Sequence, residues 1–221
     1  MSRADEIRAN LAALEARISA ACARAGRKRS DVTLVAVTKT FPASDVELAI
    51  AAGVGDVGEN KVQEARDKKD DVASGARWHL VGHLQSNKAK DAVKMFDVIQ
   101  SIDSLDLAVR IARIATAIGK RQEILLQVNI GNEEQKSGAW ADDVPTIVSR
   151  IADIDALRLT GLMAIPPVHE DPRFYFRELR ALRDSVGLPE LSMGMTDDFE
   201  VAIEEGATII RVGRAIFGSR S

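Results

Sequence analysis

The chain has 221 residues and a formal charge of −3, with 30 basic and 33 acidic residues interspersed along it. Hydrophobic residues make up 46% and aromatic residues only 4%, so a disordered chain and a surface that binds nucleic acid are both disfavoured. The single cysteine excludes a disulfide scaffold. No apolar run approaches the roughly 18 residues of a membrane span, and we therefore expect a cytoplasmic protein.

The first 26 residues have the apolar spacing of an amphipathic helix. The stripe consists of Ile7, Leu11, Leu14, Ile18 and Cys22. A cysteine on such a stripe is best interpreted as a small buried hydrophobe. We expect this helix to precede the main fold, not to form part of its repeat.

From about residue 30 onward, short apolar runs alternate with longer segments of helical spacing. The predicted strands are 32–38, 56–59, 78–83, 96–102, 123–130, 157–165, 190–195 and 208–213. Their hydrophobicity is continuous, which is typical of parallel strands covered on both faces. Eight βα units of roughly 24 residues each favour a closed (β/α)₈ barrel within a single domain, residues 1–221. A doubly wound sheet is the alternative, but it usually has fewer strands, and no G-x-G-x-x-G follows the first strand.

In a barrel of this kind the functional residues stand at the carboxyl ends of the strands. The first predicted strand runs into Lys39, in the sequence LVAVTKT. An amine at the mouth of a barrel is partly desolvated and can serve as the nucleophile of a Schiff base. Alternatively, Lys39 extends its side chain along the apolar rim into water.

The seventh and eighth predicted strands end in segments suited to binding phosphate. The segment 192–196 carries Gly194, the segment 211–214 carries Gly213, and a helical stretch follows each. Glycine permits close backbone approach, and the loops after strands seven and eight are the usual phosphate site of this fold. The alternative is that these glycines serve only tight turns.

An amine on strand one and a phosphate cup at strands seven and eight suggest a phosphorylated aldehyde, of which pyridoxal 5′-phosphate is the obvious candidate. The segments AVTKT, GEN, RWHLVGHLQSNK, GLMAIP, LSMGMTDDFE and VGRAIFG resemble the pyridoxal phosphate homeostasis protein family. That family is similar to the N-terminal barrel of alanine racemase, a fold type III barrel. The resemblance extends from about residue 30 to the C-terminus.

The resemblance implies a role for several residues. Lys39 matches the lysine that forms the Schiff base with the cofactor. The phosphate cup is matched by Ser192, Thr196, Gly213 and the backbone of Arg214. Two positions depart from the commoner pattern: Thr196-Asp197 replaces a frequent Ser-Ala, and Arg214 replaces a small hydroxyl residue. Thr196 keeps a hydroxyl, and the Arg214 guanidinium can itself reach a phosphate.

The resemblance also places Asn60 and Met163 close to the cofactor and Arg211 opposite its pyridine nitrogen. A cation there disfavours protonation of the ring, which makes the ring a weaker electron sink. The cofactor would then stabilise a carbanion only weakly. The alternative for Arg211 is an ion pair inside the barrel or at its rim.

His79 and His83 are spaced as a possible pair of metal ligands. Neither Cys nor an acidic residue accompanies them in WHLVGHLQ, and the HExxH signature requires a helix and an internal Glu, so we expect no metal site. The resemblance instead places this segment on the cofactor side of the mouth, with His83 and Gln85 as candidate polar contacts.

Two functions remain open. One is a carrier that holds pyridoxal phosphate and delivers it to apo-enzymes without turnover of its own, and the other is a racemase-like enzyme that acts on amino acids. Alanine racemases have an additional β-rich domain whose tyrosine supplies a second base, whereas Tyr175 here lies in a helical segment. We therefore expect a carrier and, because no shared site is required, a monomer. A class I aldolase would usually place its lysine on strand six, and LRLTGLMAI has none.

Overall fold

A computed structural model of the protein describes residues 2–72 and 75–218. Eight parallel strands form a closed barrel in chain order, and β8 pairs with β1, with Thr33 opposite Ile209. The strands are β1 (Thr33–Val37), β2 (Asp56–Glu59), β3 (Arg77–Leu80), β4 (Val98–Ile102), β5 (Gln122–Gln127), β6 (Leu157–Met163), β7 (Glu190–Ser192) and β8 (Ile209–Val212). The predicted barrel is confirmed, and the doubly wound alternative is wrong.

Several predicted strands continue two or three residues beyond the observed ones. The run predicted over 78–83 ends at Leu80, and the run over 123–130 ends at Gln127. Val81 and Val128 beyond these ends are 6% and 2% exposed, and their N–H groups still donate to the carbonyls of Glu59 and Met163 on the neighbouring strands. The first residues of these loops are buried, and the apolar sequence pattern therefore extends past the end of each strand.

Helices cover the outside of the barrel. They are α1 (Arg3–Arg24), α2 (Ala43–Ala51), α3 (Val62–Lys68), α4 (Ala89–Met95), α5 (Leu105–Ala117), α6 (Val144–Ala152), α7 (Pro172–Ser185), α8 (Phe199–Glu204) and α9 (Arg214–Phe217). Short 3₁₀ turns occupy Arg29–Asp31, Lys69–Asp71, Ser86–Lys88 and Ala141–Asp143. None of the helices in the described residues is both long and apolar enough to cross a bilayer.

The first helix is the additional element expected at the N-terminus. A capping box between Ser2 and Asp5 starts α1, and its predicted apolar stripe is buried, with Cys22 only 1% exposed. The helix packs against α8 and α9. Arg3 holds it in place by donating hydrogen bonds to Asp45 of α2 and to the carbonyl of Phe217.

The apolar core has two parts. The larger part fills the space between the strands and the helices. The smaller part lies inside the barrel and consists of Val35, Val37, Val81, Val98, Leu125, Met163 and Ile209. The barrel interior is therefore a packed, mostly apolar space, and every polar group inside it needs a partner.

Candidate functional site

A large cavity lies at the carboxyl ends of the strands, where the sequence placed the functional site. Its volume is about 780 Å³, within the range of roughly 300–1,000 Å³ that is usual for cofactor sites. The polar residues on its wall are Lys39, Asn60, His83, Gln127, Asn129, Lys136, Ser137, Thr196, Asp197, Arg211 and Arg214. Loops after β1, β2, β3, β5, β7 and β8 thus contribute to one site.

Lys39 follows β1 and lies in a backbone segment that α3 anchors on both sides. Lys68 donates a hydrogen bond from Nζ to the carbonyl of Thr38, at 2.8 Å. The N–H of Thr40 donates to Glu64 Oε2 at 3.0 Å, and Thr40 has the uncommon φ of +69°. The backbone on either side of Lys39 is therefore fixed by side chains of a neighbouring helix.

A buried charge cluster lies next to this segment. Lys68 Nζ stands 2.7 Å from Glu59 Oε1, and the Thr38 hydroxyl donates to the same oxygen at 2.6 Å. Burial raises the pKa of Glu59, although the hydrogen bonds from Lys68 and Thr38 oppose that shift. Glu59 Oε2 has no hydrogen-bond partner within the described structure. The cluster is an ionic support for the end of β1.

Arg211 brings a buried cation to the cavity. It is 4% exposed and donates from one Nη to Ser192 Oγ at 2.6 Å and from the other to the carbonyl of Ala164 at 3.0 Å. Burial lowers the pKa of Arg211 to about 10, with Asp198 acting in the opposite direction. The guanidinium is thus still protonated near neutral pH, and its orientation is fixed by two partners.

The loop after β7 turns sharply at Gly194. This residue has φ +90°, and a Cβ there would lie 2.5 Å from the Cβ of Ala202, so only glycine fits. The Gly194 carbonyl accepts a hydrogen bond from the N–H of Arg211. Next along the loop, the Met195 N–H donates to Asp198 Oδ1 at 2.6 Å. The turn leads the chain to Thr196 on the cavity wall.

The loop after β8 lies against β1 and against the loop after β7. A Cβ on Gly213 would come within 2.8 Å of the carbonyl oxygen of Val37. Arg214 Nη2 contacts both carboxylate oxygens of Asp197, at 2.5 and 2.6 Å. Both of these residues were noted as departures from the family pattern, and the structure shows that they pair with each other across the predicted phosphate site.

Six of the nine predicted site residues line this one cavity: Lys39, Asn60, Thr196, Arg211, Gly213 and Arg214. The other three are absent from its wall. Met163 is fully buried in the barrel interior, and Gly194 is buried in the turn after β7. Ser192 is also fully buried, and its hydroxyl is occupied by Arg211 and Gln100.

The two histidines of β3 and its loop occupy separate places. His79 is 1% exposed inside the barrel, whereas His83 is on the cavity wall, with Nδ1 3.1 Å from Ser137 Oγ. Gln85 is exposed and is not among the residues lining the cavity. Within residues 2–72 and 75–218, no group of three or more His, Cys, Asp or Glu side chains is arranged to hold a metal.

Sequence reasoning missed the contribution of the β5 loop. Gln127, Asn129, Lys136 and Ser137 all line the cavity. Lys136 adds a second amine, which donates to the carbonyl of Pro166 at 3.2 Å and pairs with Glu133. The polar residues that end the run EILLQVNI were a usable signal, because they occupy the strand end where site residues are expected in this fold.

Comparisons with known proteins agree with this geometry. A family model described as alanine racemase, N-terminal domain, matches residues 9–221. A relative from Pseudomonas aeruginosa, named pyridoxal phosphate homeostasis protein, is 41% identical over 217 residues, covering 96% of this chain and 94% of its own. The structure of PipY of Synechococcus elongatus with PLP bound is 36% identical, with a TM-score of 0.85, and covers 96% of this chain and 100% of its own.

Alanine racemase of Clostridium difficile shares the fold alone. Its TM-score is 0.79 at 13% identity, and the match covers 98% of this chain and 57% of the racemase. The family model and the full-length relatives agree on one assignment. The chain belongs to the alanine racemase N-terminal domain family and, within it, to the group whose members are named pyridoxal phosphate homeostasis proteins.

Proposed function

We propose that this protein binds pyridoxal 5′-phosphate in the cavity at the carboxyl ends of its strands and serves its storage and delivery without turnover of its own. The observation that carries the proposal is that Lys39 and Arg211 line the same cavity as the loops after β7 and β8. An amine, a cation and a phosphate-sized polar recess are the groups that a phosphorylated pyridine aldehyde requires.

The donor set fits that cofactor. When bound, the cofactor supplies an aldehyde that can form a covalent bond to Lys39 Nζ. Thr196, the backbone at Gly213 and Arg214 would hold the phosphate, with Arg211 as the group at the pyridine nitrogen. Asn60 lines the wall beside them, while Met163 closes the barrel beneath the cavity. Ser192 is better assigned to the support of Arg211 than to the phosphate, because its hydroxyl already bonds to that side chain.

The arrangement favours a carrier over a racemase. Tyr175, which is the one tyrosine of the sequence, lies on α7, and its hydroxyl donates to Glu170 away from the cavity wall. Proton transfer on both faces of a substrate needs a second acid–base group opposite the lysine, and the tyrosine that supplies it in alanine racemases has no counterpart among the described residues that line this cavity, which include His83 and Lys136. Arg211, as a buried cation, would in addition keep the pyridine nitrogen unprotonated and weaken the electron sink.

The names of the relatives support the same function, since relatives that are 38–41% identical to this chain carry the name of a pyridoxal phosphate homeostasis protein. The structure of PipY with PLP bound supports the cofactor. We further propose that the protein is a cytoplasmic monomer and that its partners are PLP-dependent apo-enzymes that receive the cofactor. Sedimentation equilibrium tests the monomer, and a tight dimer at low concentration would contradict it.

The covalent bond is tested by absorbance and chemical trapping. The purified protein with added cofactor should show a yellow band, and borohydride should fix the cofactor on Lys39. Lys39→Ala should remain folded and lose the band, whereas Lys88→Ala, a matched change outside the cavity wall, should keep it. Peptide mapping that places the adduct on Lys136, Lys61 or Lys88 would overturn the assignment.

The choice between carrier and enzyme is tested by deuterium exchange at the α-carbon of a panel of amino acids, alongside transfer of bound cofactor to an apo-enzyme. We expect transfer with slow exchange. Rapid exchange over many turnovers that is lost in Lys39→Ala would establish a racemase-like enzyme instead.

A further inference from the structure

A line of polar side chains crosses the apolar interior of the barrel. It begins at Asp56 on β2 and continues through His79 on β3, Gln100 on β4 and Ser192 on β7 to Arg211 on β8. The successive heavy-atom distances are 2.9, 2.9, 2.5 and 2.6 Å. His79, Gln100, Ser192 and Arg211 are each at most 4% exposed. The line therefore joins the cofactor cavity to the opposite end of the barrel, where Asp56 lines a smaller cavity.

The hydrogen bonds of this line all run in one direction. A guanidinium only donates and a carboxylate only accepts, so the two ends fix the order of the groups between them. Arg211 donates to Ser192 Oγ, which leaves the hydroxyl hydrogen of Ser192 for Gln100 Oε1. The amide nitrogen of Gln100 then donates to His79 Nδ1, and His79 Nε2 donates to Asp56 Oδ1.

This order requires one tautomer of His79. A hydrogen on Nδ1 would face the NH₂ group of Gln100. Flipping the Gln100 amide to relieve that conflict would direct a second donor at Ser192 Oγ, and the Ser192 hydroxyl would lose its acceptor. In a low-dielectric interior an unpaired polar group is costly and aligned hydrogen bonds strengthen one another. The line thus has a single well-satisfied arrangement, with neutral His79 protonated on Nε2.

We infer that Asp56, His79 and Gln100 are positioning residues, which act through Ser192 to hold the Arg211 guanidinium in its orientation at the cofactor cavity. Only the consequence for the cofactor rests on the proposed function, in which Arg211 faces the pyridine nitrogen. The line itself rests only on contacts within this chain. Within the described residues, the Arg211 guanidinium also donates to the carbonyl of Ala164, but that single bond would leave the group free to rotate if Ser192 did not hold it.

The first test uses the protein without cofactor and reads ¹⁵N NMR signals of the His79 ring and the Arg211 guanidinium. Wild type should show the neutral Nε2–H tautomer and slowly exchanging Nη protons. Ser192→Ala should accelerate exchange of the Arg211 Nη protons about tenfold or more, as expected for loss of a hydrogen bond worth about 1.5 kcal/mol.

Ser101→Ala is the matched control. Ser101 is as fully buried as Ser192 and lies next to Gln100 on β4, but its hydroxyl has no hydrogen-bond partner within the described structure. This variant should leave the Arg211 and His79 signals unchanged. Equal effects of the two serine changes would overturn the inference.

Three further variants test the rest of the line and remain informative if Ser192→Ala folds poorly. Asp56→Asn keeps an acceptor for His79 Nε2–H and should preserve the tautomer and slow Arg211 exchange, while Asp56→Leu removes that acceptor and should raise both the Nδ1–H population and the rate of Arg211 exchange. Gln100→Glu should convert His79 to the doubly protonated ring, because the new carboxylate accepts from Nδ1. A neutral His79 ring in Gln100→Glu, or unchanged signals in Asp56→Leu, would overturn the inference.

The second test measures pyridoxal phosphate affinity and the position of its absorbance band. Ser192→Ala should weaken binding or shift the band, and Ser101→Ala should do neither. If wild type binds no cofactor, the proposed function fails, but the NMR test of the line still stands. If wild type binds and Ser192→Ala behaves as wild type in both tests, the inference fails while the proposed function survives.

Discussion

Lys68 and Glu59 form a buried ion pair beside the backbone segment that carries Lys39, with Nζ 2.7 Å from Oε1 and side chains that are 11% and 0% exposed. The same ammonium donates to the carbonyl of Thr38, the residue before Lys39. The pair therefore serves two purposes: it neutralises a carboxylate inside the fold and it holds the end of β1. Removal of the pair should therefore lower the stability of the fold and disturb the end of β1 at the mouth of the barrel.

Lys68→Met should lower the free energy of unfolding by about 3–5 kcal/mol, because it leaves the Glu59 carboxylate buried without its partner. The double variant Lys68→Met with Glu59→Gln should recover much of that loss. Urea unfolding measures both, and Lys90→Met on the exposed face of α4 is the control that should behave as wild type. A loss in Lys90→Met as large as that in Lys68→Met would contradict this account.

The same variant should have a characteristic pH dependence. Burial already raises the pKa of Glu59 above its ordinary value of 4.5, and loss of Lys68 removes an opposing effect. An acid whose pKa is raised by folding favours the folded state below its unfolded pKa, and this advantage is lost as the pH rises through the folded value. The stability deficit of Lys68→Met should therefore grow as the pH rises from about 4.5, and a deficit that shrinks would refute the assignment.

The sequence predicted the barrel and the position of the candidate site because both depend on local patterns. Continuous apolar runs mark strands covered on both faces, and residues at their carboxyl ends meet at one mouth wherever a parallel barrel closes. Lys39 was identified in this way, whereas the roles expected of Thr196 and Arg211 came from the family resemblance. Each of them stands at or just beyond the end of a strand.

The supports of the site could not be predicted in the same way. Gln100 appears in the sequence as one polar residue in the run VIQSI, and Lys68 as one of several charges in EARDKKDD. Their partners lie on other strands and helices, up to 92 residues away for Gln100 and Ser192. Only the closed barrel brings such groups together, and no periodicity marks them.

The interface between α7 and the end of α8 should make the fold sensitive to acid. Arg173 donates to Glu204 and to Glu205, and the latter is only 4% exposed. Hydrogen bonds from Arg173 and Arg24 lower the pKa of Glu204. For Glu205, burial acts to raise the pKa, but hydrogen bonds from Arg177 and Arg173 outweigh it.

Arg173→Gln should therefore cost about 1.5–3 kcal/mol of stability near neutral pH, the usual contribution of a hydrogen bond between charged groups. An acid whose pKa is lowered by folding stabilises the fold above its unfolded value, and this contribution is lost as the pH falls through the folded value. The difference from wild type should thus shrink as the pH falls below the ordinary pKa of 4.5 and disappear below the lowered pKa of the folded state. Thermal unfolding as a function of pH measures it, with Arg8→Gln on the exposed face of α1 as control.

The Asp197–Arg214 pair should weaken phosphate binding in this chain. Both residues line the cavity at the predicted phosphate loops, where Asp197 brings a negative charge and occupies the guanidinium. Asp197→Asn should tighten pyridoxal phosphate binding a few-fold at low salt, and the gain should shrink as salt screens these exposed charges. Fluorescence titration measures it against Asp142→Asn, an exposed control off the cavity wall. Weaker binding in Asp197→Asn would show that the carboxylate helps to hold the cofactor instead.

Substitution of Gly213 should affect the stability of the fold, whereas substitution of Thr196 should affect cofactor affinity. Gly213→Ala would place a Cβ within 2.8 Å of the Val37 carbonyl oxygen, so it should reduce stability even without cofactor. Thr196→Val removes only a hydroxyl from the cavity wall and should leave unfolding unchanged. Its effect should appear in cofactor affinity, lowered about tenfold or more by loss of a hydrogen bond to a charged phosphate, and Thr196→Ser should restore it. Calorimetric titration and urea unfolding of the three variants separate these effects. If Thr196→Val binds as tightly as wild type, the Thr196 hydroxyl does not hold the phosphate, and if Gly213→Ala unfolds as wild type does, the close approach to Val37 does not require glycine.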